Sequence, residues 1–386
     1  MSKKPPKRSP PGTPVPNYLR EEPKRSPAGT PPPGILPPKN PPTSSPLLNP
    51  VAGKLSSKYI LGVHELESFN RPPLNLSQLY LIKPIPPLQV EPNSFLIIVD
   101  TYDWAWDIAS RELLSAMPEA KGKIVDVDDF RRGGIDVRTY NVVLVYPWAA
   151  TGLLNYLDPR NTVINIAGGD QLELLYFFKS LCSRFKYYGV CNDIIKDKII
   201  EAFPTKEIFT LTHGVDTELF SPQKRTSERT FRVGWVGKCD RELKRFYLAK
   251  KITKEHNFTL RVAGFKSRPH HKMPNFYRSV DCLLVTSDKE AHPMIVYEAM
   301  SCEVPPITTD VGDVSRYITD GENGFILPIN ASISEFAEKI NILKNDADLR
   351  KKMGKAARKT ILERLSWEQI AEQYKPLTKI LGVEQQ

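Results

Sequence analysis

Phe95-Leu96-Ile97-Ile98-Val99-Asp100 is an apolar run rich in β-branched residues that ends on an aspartate. It shows no polar alternation, so it predicts a strand buried on both faces, as in a parallel sheet. Working outward, a helix is expected from about Asp103 to Met117. Strands are expected at Lys123–Val127, Val142–Tyr146, Thr162–Ala167, Tyr187–Cys191 and Ile208–Thr212, with helices at Asp170–Ser183 and Asn192–Phe203. This strand–helix rhythm implies an α/β fold with a sheet covered on both faces. A polar break, Ser221–Thr230, interrupts it. The rhythm restarts with strand Phe231–Val236, helix Arg241–Glu255, strands Phe258–Ala263 and Asp281–Thr286, helix Pro293–Ser301 and strand Val304–Thr308. Three helices follow, Ile333–Lys344, Asp346–Arg364 and Ser366–Leu381. Two Rossmann-like units joined by a short linker account for the pattern.

The boundaries expected are a tail at 1–50, a linker at 51–92, a first domain at 93–220, a second at 221–365 and a last helix at 366–386. Seventeen of the 35 prolines lie in residues 1–50, where eight Lys and Arg against two Glu give a net charge of +6 out of +10 for the chain. Such a segment has little to bury and reads as a disordered Pro/Lys-rich tail. Within it Lys7–Pro14 recurs as Lys24–Pro31, suited to docking or to Ser-Pro phosphorylation. The remaining +4 does not argue for nucleic acid as a partner of the folded part. The five cysteines form no CxxC pair, and four sit in or beside apolar runs, so buried free thiols are expected. No signal-peptide core or spanning run is present, which points to a cytoplasmic protein, meeting a membrane only at its surface.

The chemistry concentrates in Asp288–Pro306, DKEAHPMIVYEAMSCEVPP. Pro293 suits a helix start, which places Glu290 in the loop after a strand and Glu298 about a turn and a half into the helix. Amides of Met294 and Ile295 at that helix start would suit an anion, and a carboxylate further along can accept a ribose diol. The basic run Lys351, Lys352, Lys355, Arg358 and Lys359 reads as a solvated helix face.

From Val280 to Pro328 the chain resembles the retaining glycosyltransferases of family 4. Glu290, Pro293, Glu298, Ala299, Met300, Pro305, Gly312, Gly321, Asn323, Gly324 and Phe325 match the family pattern in order, the last four within a "DGxNGFL" hairpin. Thr212–Phe220 resembles its "NGVD…F" segment, Lys272–Asp281 its "MPxFYxxxD" segment, and Ser366-Trp367-Glu368 the start of its last helix. The resemblance covers roughly residues 95–382 and is strongest after Thr212.

It implies a GT-B fold, two Rossmann-like domains facing across a cleft. It also implies metal-independent transfer of a sugar from a nucleotide sugar, UDP- or GDP-linked, to a glycan, lipid or protein acceptor, with retention of configuration. Glu298 would hold the donor ribose and Glu290 a sugar hydroxyl. Backbone of His292, Pro293, Met294 and Ile295 would approach the sugar and diphosphate. Lys238, following Gly237, and Lys244 would face the diphosphate, with Arg241 or Arg245 as alternatives to Lys244. His292 departs from the family's usual aromatic or small residue, and its ring would reach a phosphate or sugar oxygen. On the acceptor side the candidates are Asp103, Trp104, Trp106, Gly168 and Gly169. Asp126-Val127-Asp128 spells a DxD pair but lies far in sequence from the donor motif, as a strand end. No cofactor and no metal are expected. No His occurs between Phe95 and Leu211, where relatives carry one. That absence keeps open a second reading, a catalytically weak or inactive scaffold presenting the Pro-rich tail. An oxidoreductase would rest on Gly234-x-x-Gly237 alone, a fragment of the dinucleotide fingerprint.

Overall fold

The computed structural model describes residues 89–102, 105–146, 152–168, 179–223, 229–264 and 269–379. All lie in one compact unit, residues 71–386. The expected tail, most of the linker, Asp103, Trp104, Gly169 and most of the helix expected at Asp170–Ser183 lie outside the described residues.

The first sheet has six strands: β1 (Glu91–Val99), β2 (Lys121–Asp126), β3 (Tyr140–Val145), β4 (Thr162–Ile166), β5 (Tyr187–Val190) and β6 (Glu207–Thr210). They are ordered β2-β1-β3-β4-β5-β6 and every pairing is parallel. Phe95 to Val99 are fully buried. Each such side chain contributes about 1.5–3 kcal/mol through burial, which anchors this strand at the centre of the core. The helices are α1 (Ala105–Ser115), α2 (Val127–Arg131), α3 (Lys179–Cys182) and α4 (Asp193–Ala202). Asn192 caps α4 by accepting from the Ile195 amide.

The second sheet has five strands: β7 (Arg232–Gly237), β8 (Thr259–Gly264), β9 (Cys282–Val285), β10 (Pro306–Thr309) and β11 (Phe325–Leu327). Its order is β11-β10-β9-β7-β8, again parallel. Its helices are α5 (Phe246–Glu255), α6 (Met273–Tyr277), α7 (Met294–Ser301), α8 (Val314–Tyr317), α9 (Ile333–Asn345), α10 (Ala347–Arg364) and α11 (Trp367–Tyr374). Two expectations are corrected here. The helix expected over Arg241–Glu255 is broken: Glu242–Lys244 is a 3-10 turn, Arg245 is left-handed at φ 44°, and α5 starts only at Phe246. The stretch expected as a hairpin is a tight turn, Asp320–Gly324, feeding a parallel edge strand.

In both sheets the strand order reverses once, between β1 and β3 and between β7 and β9. Parallel α/β sheets bind ligands beyond the carboxyl ends of the strands at such points. The two halves are tied covalently and by packing. Arg278 and Arg358 of the second half donate to carbonyls of Thr217, Leu219, Phe220 and Ser221 in the joining segment. Arg358 therefore turns inward, leaving Lys351, Lys352, Lys355 and Lys359 as the exposed basic face of α10. At the chain's end, α11 returns to the first half: it packs on α1, Thr212 Oγ1 donates to Gln373 at 2.7 Å, and Tyr374 donates to the Thr212 carbonyl.

Cys182, Cys191, Cys282 and Cys302 are buried free thiols and Cys239 is exposed. Burial pushes the Cys182 and Cys302 thiols up to about 12, so both stay protonated. No helix among the described residues is long and apolar enough to cross a membrane.

Candidate active site

The site forms beyond β7 and β9. Gly237 ends β7 at φ 153°, with Trp235 packed so close that a Cβ would meet its ring at 3.0 Å. Lys238 follows, exposed. The next segment is sewn to the loop after β9. Thr286 Oγ1 donates to the Lys244 carbonyl at 2.9 Å, and Asp288 N–H donates to the Leu243 carbonyl. Arg245 spends its guanidinium on the carbonyls of Thr286, Ser287 and Ile329. It is therefore a brace on the loop's backbone, whereas Lys244 reaches the loop's Glu290 carboxylate.

Lys244 Nζ lies 2.6 Å from Glu290 Oε1, and Ser287 Oγ donates to the same oxygen at 2.6 Å. Both side chains of the ion pair are largely buried. The cation and anion are thus partnered to each other beyond the ends of β7 and β9.

The loop beyond Glu290 is fixed from three sides. Asn192 Nδ2 donates to the Ala291 carbonyl at 2.7 Å. Gly312, at φ 61°, brings its backbone against Ala291, where a Cβ would sit 2.4 Å from the carbonyl oxygen. Only glycine fits both constraints. The third support is His292, whose side chain is 1% exposed. Its Nδ1 faces Asp313 Oδ2 at 2.7 Å and its Nε2 faces the His213 carbonyl at 3.0 Å. Both partners are acceptors, so both bonds form together only when both ring nitrogens carry hydrogen. Tyr297 Oη donates to the other Asp313 oxygen at 2.5 Å. The His292 ring is thus turned into the protein, and the expectation that it reaches a phosphate or sugar oxygen is corrected.

The Met294 amide also departs from expectation. It donates back to the His292 carbonyl at 2.9 Å, because Pro293 (φ −77°, ψ 84°) makes an inverse γ-turn. Ile295, half-buried, lies in the first turn of α7.

Glu298, on the inner face of α7, is 5% exposed. Tyr277 Oη donates to Oε2 at 2.6 Å, and His270 Nε2 lies 2.9 Å from Oε1. Burial, then the adjacent carboxylate, raises the Tyr277 pKa far above its ordinary value, so the phenol stays a donor.

In the first half, Trp106 stacks on Tyr146 with ring centroids 4.5 Å apart and lies 5.0 Å from His213. It packs in an aromatic cluster, half-buried, at the carboxyl end of the first sheet. Gly168, half-buried, follows the end of β4. His213 is buried, and among the described residues its Nε2 has no hydrogen-bond partner. Burial, with the neighbouring His292, lowers its pKa to about 3. Asp126 ends β2 and caps α2 through the Asp129 amide at 2.8 Å. Among the described residues no group of three or more His, Cys, Asp or Glu could hold a metal ion.

Sequence reading missed the supports. Tyr277 lies inside the Lys272–Asp281 segment and Ser287 at the end of the strand before Glu290, but His270 and Asp313 are brought in by turns with no local signal.

Known proteins share this fold. Residues 223–360 match the family of glycosyl transferases group 1. Sucrose-phosphate synthase from Thermosynechococcus elongatus superposes with a TM-score of 0.63 at 14% identity, over 75% of this chain and 99% of that one. The Anabaena protein HepE, solved with UDP and glucose, gives 0.57 at 14% identity, over 75% and 100%. The fold is GT-B. An uncharacterized glycosyltransferase of Methanocaldococcus jannaschii is 25% identical over 236 residues, 53% of this chain. Curated relatives are matched over less than two thirds of their own lengths, 64% for that protein and 25% for another. In this GT-B chain the matched segment contains Lys238, Lys244, Glu290 and Glu298 but none of the first sheet.

Proposed function

We propose that this chain is a glycosyltransferase that moves a sugar from a nucleotide sugar to an acceptor held by the first half, with retention of configuration and without a metal. The observation that carries the reading is the Lys244–Glu290 pair, 2.6 Å apart at the strand reversal between β7 and β9. Glu298 lies on the helix that follows the same loop.

Glycosyl transfer leaves negative charge on the nucleoside diphosphate and positive charge near C1 of the sugar. Lys244 and Lys238 stabilise the leaving diphosphate. The Lys244 ammonium is held by Glu290 at the strand ends before the donor arrives, so the positive charge is already near where the diphosphate binds. Glu290, freed in part as Lys244 turns to phosphate, accepts from a sugar hydroxyl. Glu298 accepts from the ribose diol. The acceptor enters beyond β1 and β3, near Asp100 and Trp106. Because HepE was solved with UDP and glucose, UDP-glucose is the first donor to try.

The test is release of nucleoside diphosphate from a panel of UDP- and GDP-sugars, with Glu298→Ala as control. Release from one donor, lost in the control, supports the reading. NMR of the product's anomeric proton then reads retention, and activity unchanged by EDTA supports metal independence. A silent nucleotide-sugar-binding scaffold is the second reading, favoured by the inward turn of the His292 ring and the Met294 amide. It predicts binding of donor by wild type with no release under any acceptor.

A further inference from the structure

Both oxygens of Glu298 already have partners, and the two partners differ in access. Tyr277, on Oε2, is fully buried. His270, on Oε1, keeps 35% of its side chain exposed. The imidazole is carried on a 3-10 turn, His270–Lys272, rather than on a long helix or central strand. The ring of Phe220 backs it at 5.1 Å. The carboxylate offers about four acceptor positions, so access rather than number decides where a ribose diol can bind. With Tyr277 enclosed on one oxygen, the diol must approach on the side that His270 covers.

We propose that His270 gates the nucleotide site: its imidazole competes with the donor ribose for Glu298, and donor binding displaces it. This rests on the reading that Glu298 holds the ribose. Carboxylates face His270 from several elements. They are Glu298 on α7, Glu112 on α1 and Asp216 in the joining segment, with the Tyr277 phenol on α6 bonded to the same Glu298. Burial alone would lower the imidazole pKa, but the Glu298 hydrogen bond and charge, with Glu112 and Asp216, outweigh it and raise the value.

The sign of the pH effect follows. Low pH charges the imidazole and strengthens its hold on Glu298, so the donor binds more weakly. Displacement removes the partner that favours the charged ring, so binding releases a proton. Affinity rises with pH through the titration, by at most about tenfold per pH unit.

The experiment is calorimetric titration of the full chain with the nucleotide sugar that binds, at about pH 6 and about pH 8, in two buffers of different ionisation enthalpy. The nucleotide sugar's diphosphate is esterified at both ends and does not itself titrate in this range. The inference expects affinity about fivefold or more higher at the upper pH, with fractional proton release. It expects His270→Ala to bind at the lower pH as tightly as wild type does at the upper, without proton release. Wild-type binding without proton release, or weaker binding by His270→Ala at both pH values, overturns the gate and leaves the nucleotide site standing. Failure of wild type to bind any nucleotide sugar overturns the site itself. The proton count on wild type needs no variant, so misfolding of His270→Ala would not remove the test.

Discussion

His292 Nε2 lies 3.0 Å from the backbone carbonyl of His213, so the loop that follows Glu290 is pinned to the last residues of the first half. The same ring holds Asp313, which in turn holds Tyr297. Replacing His292 by Ala leaves the Asp313 carboxylate buried with one donor fewer. We expect a loss of about 3 kcal/mol in urea unfolding, the usual cost of stripping a buried charge of its partner. A loss under about 0.5 kcal/mol, the range of an ordinary surface change, would show that the ring is not a brace.

His213 sets a pH dependence of stability. Its folded pKa is lowered to about 3, against an ordinary 6.5, because the ring is buried beside His292. Above about pH 6.5 the unfolded ring is neutral too, and nothing is lost. As pH falls below that, the unfolded chain binds a proton that the folded one refuses, and stability declines by up to about 1.4 kcal/mol per pH unit towards pH 3. Comparing wild type with His213→Asn in denaturant titrations at pH 7, 6 and 5 isolates this contribution. The variant's curve should be the flatter of the two.

Lys244 and Glu290 should behave as a unit. Lys244→Met or Glu290→Gln should each lower kcat by about a hundredfold, typical of removing one preorganised charge partner. The double variant should lose far less than the product of the two, since each single change already breaks the pair. Multiplicative losses in steady-state kinetics would mean that the two residues act separately.

Gly312 has no room for a side chain. Gly312→Ala places a methyl 2.4 Å from the Ala291 carbonyl at φ 61°, so the loop must shift. We expect about 2 kcal/mol of destabilisation in thermal unfolding, from backbone strain, and a raised KM for the donor. Unchanged KM would show that the loop does not shape the donor site.

The sheets were legible because burial writes itself into composition: FLIIVD and the other central strands, such as Tyr140–Val145 and Cys282–Val285, have no polar face to show. The positions of Glu290 and Glu298 were legible because a strand end, a helix-starting Pro293 and a helical spacing are all local. What was not legible is the matter of which groups meet. Arg245 and Lys244 are neighbours in sequence. Only the left-handed turn at Arg245 sends one guanidinium to carbonyls and leaves the other cation facing Glu290. His292 likewise reads as a ligand until its two acceptors, 21 and 79 residues away, are seen.

The central claim is that the second half holds a nucleotide sugar through Glu298 and Lys244. The most direct measurement is calorimetric binding of UDP-glucose and its UDP- and GDP-linked relatives to wild type, Glu298→Ala and Lys244→Met. One donor is expected to bind wild type, and each variant to weaken it at least about tenfold, the loss of one charged hydrogen-bond partner. A donor that binds all three proteins equally would contradict it.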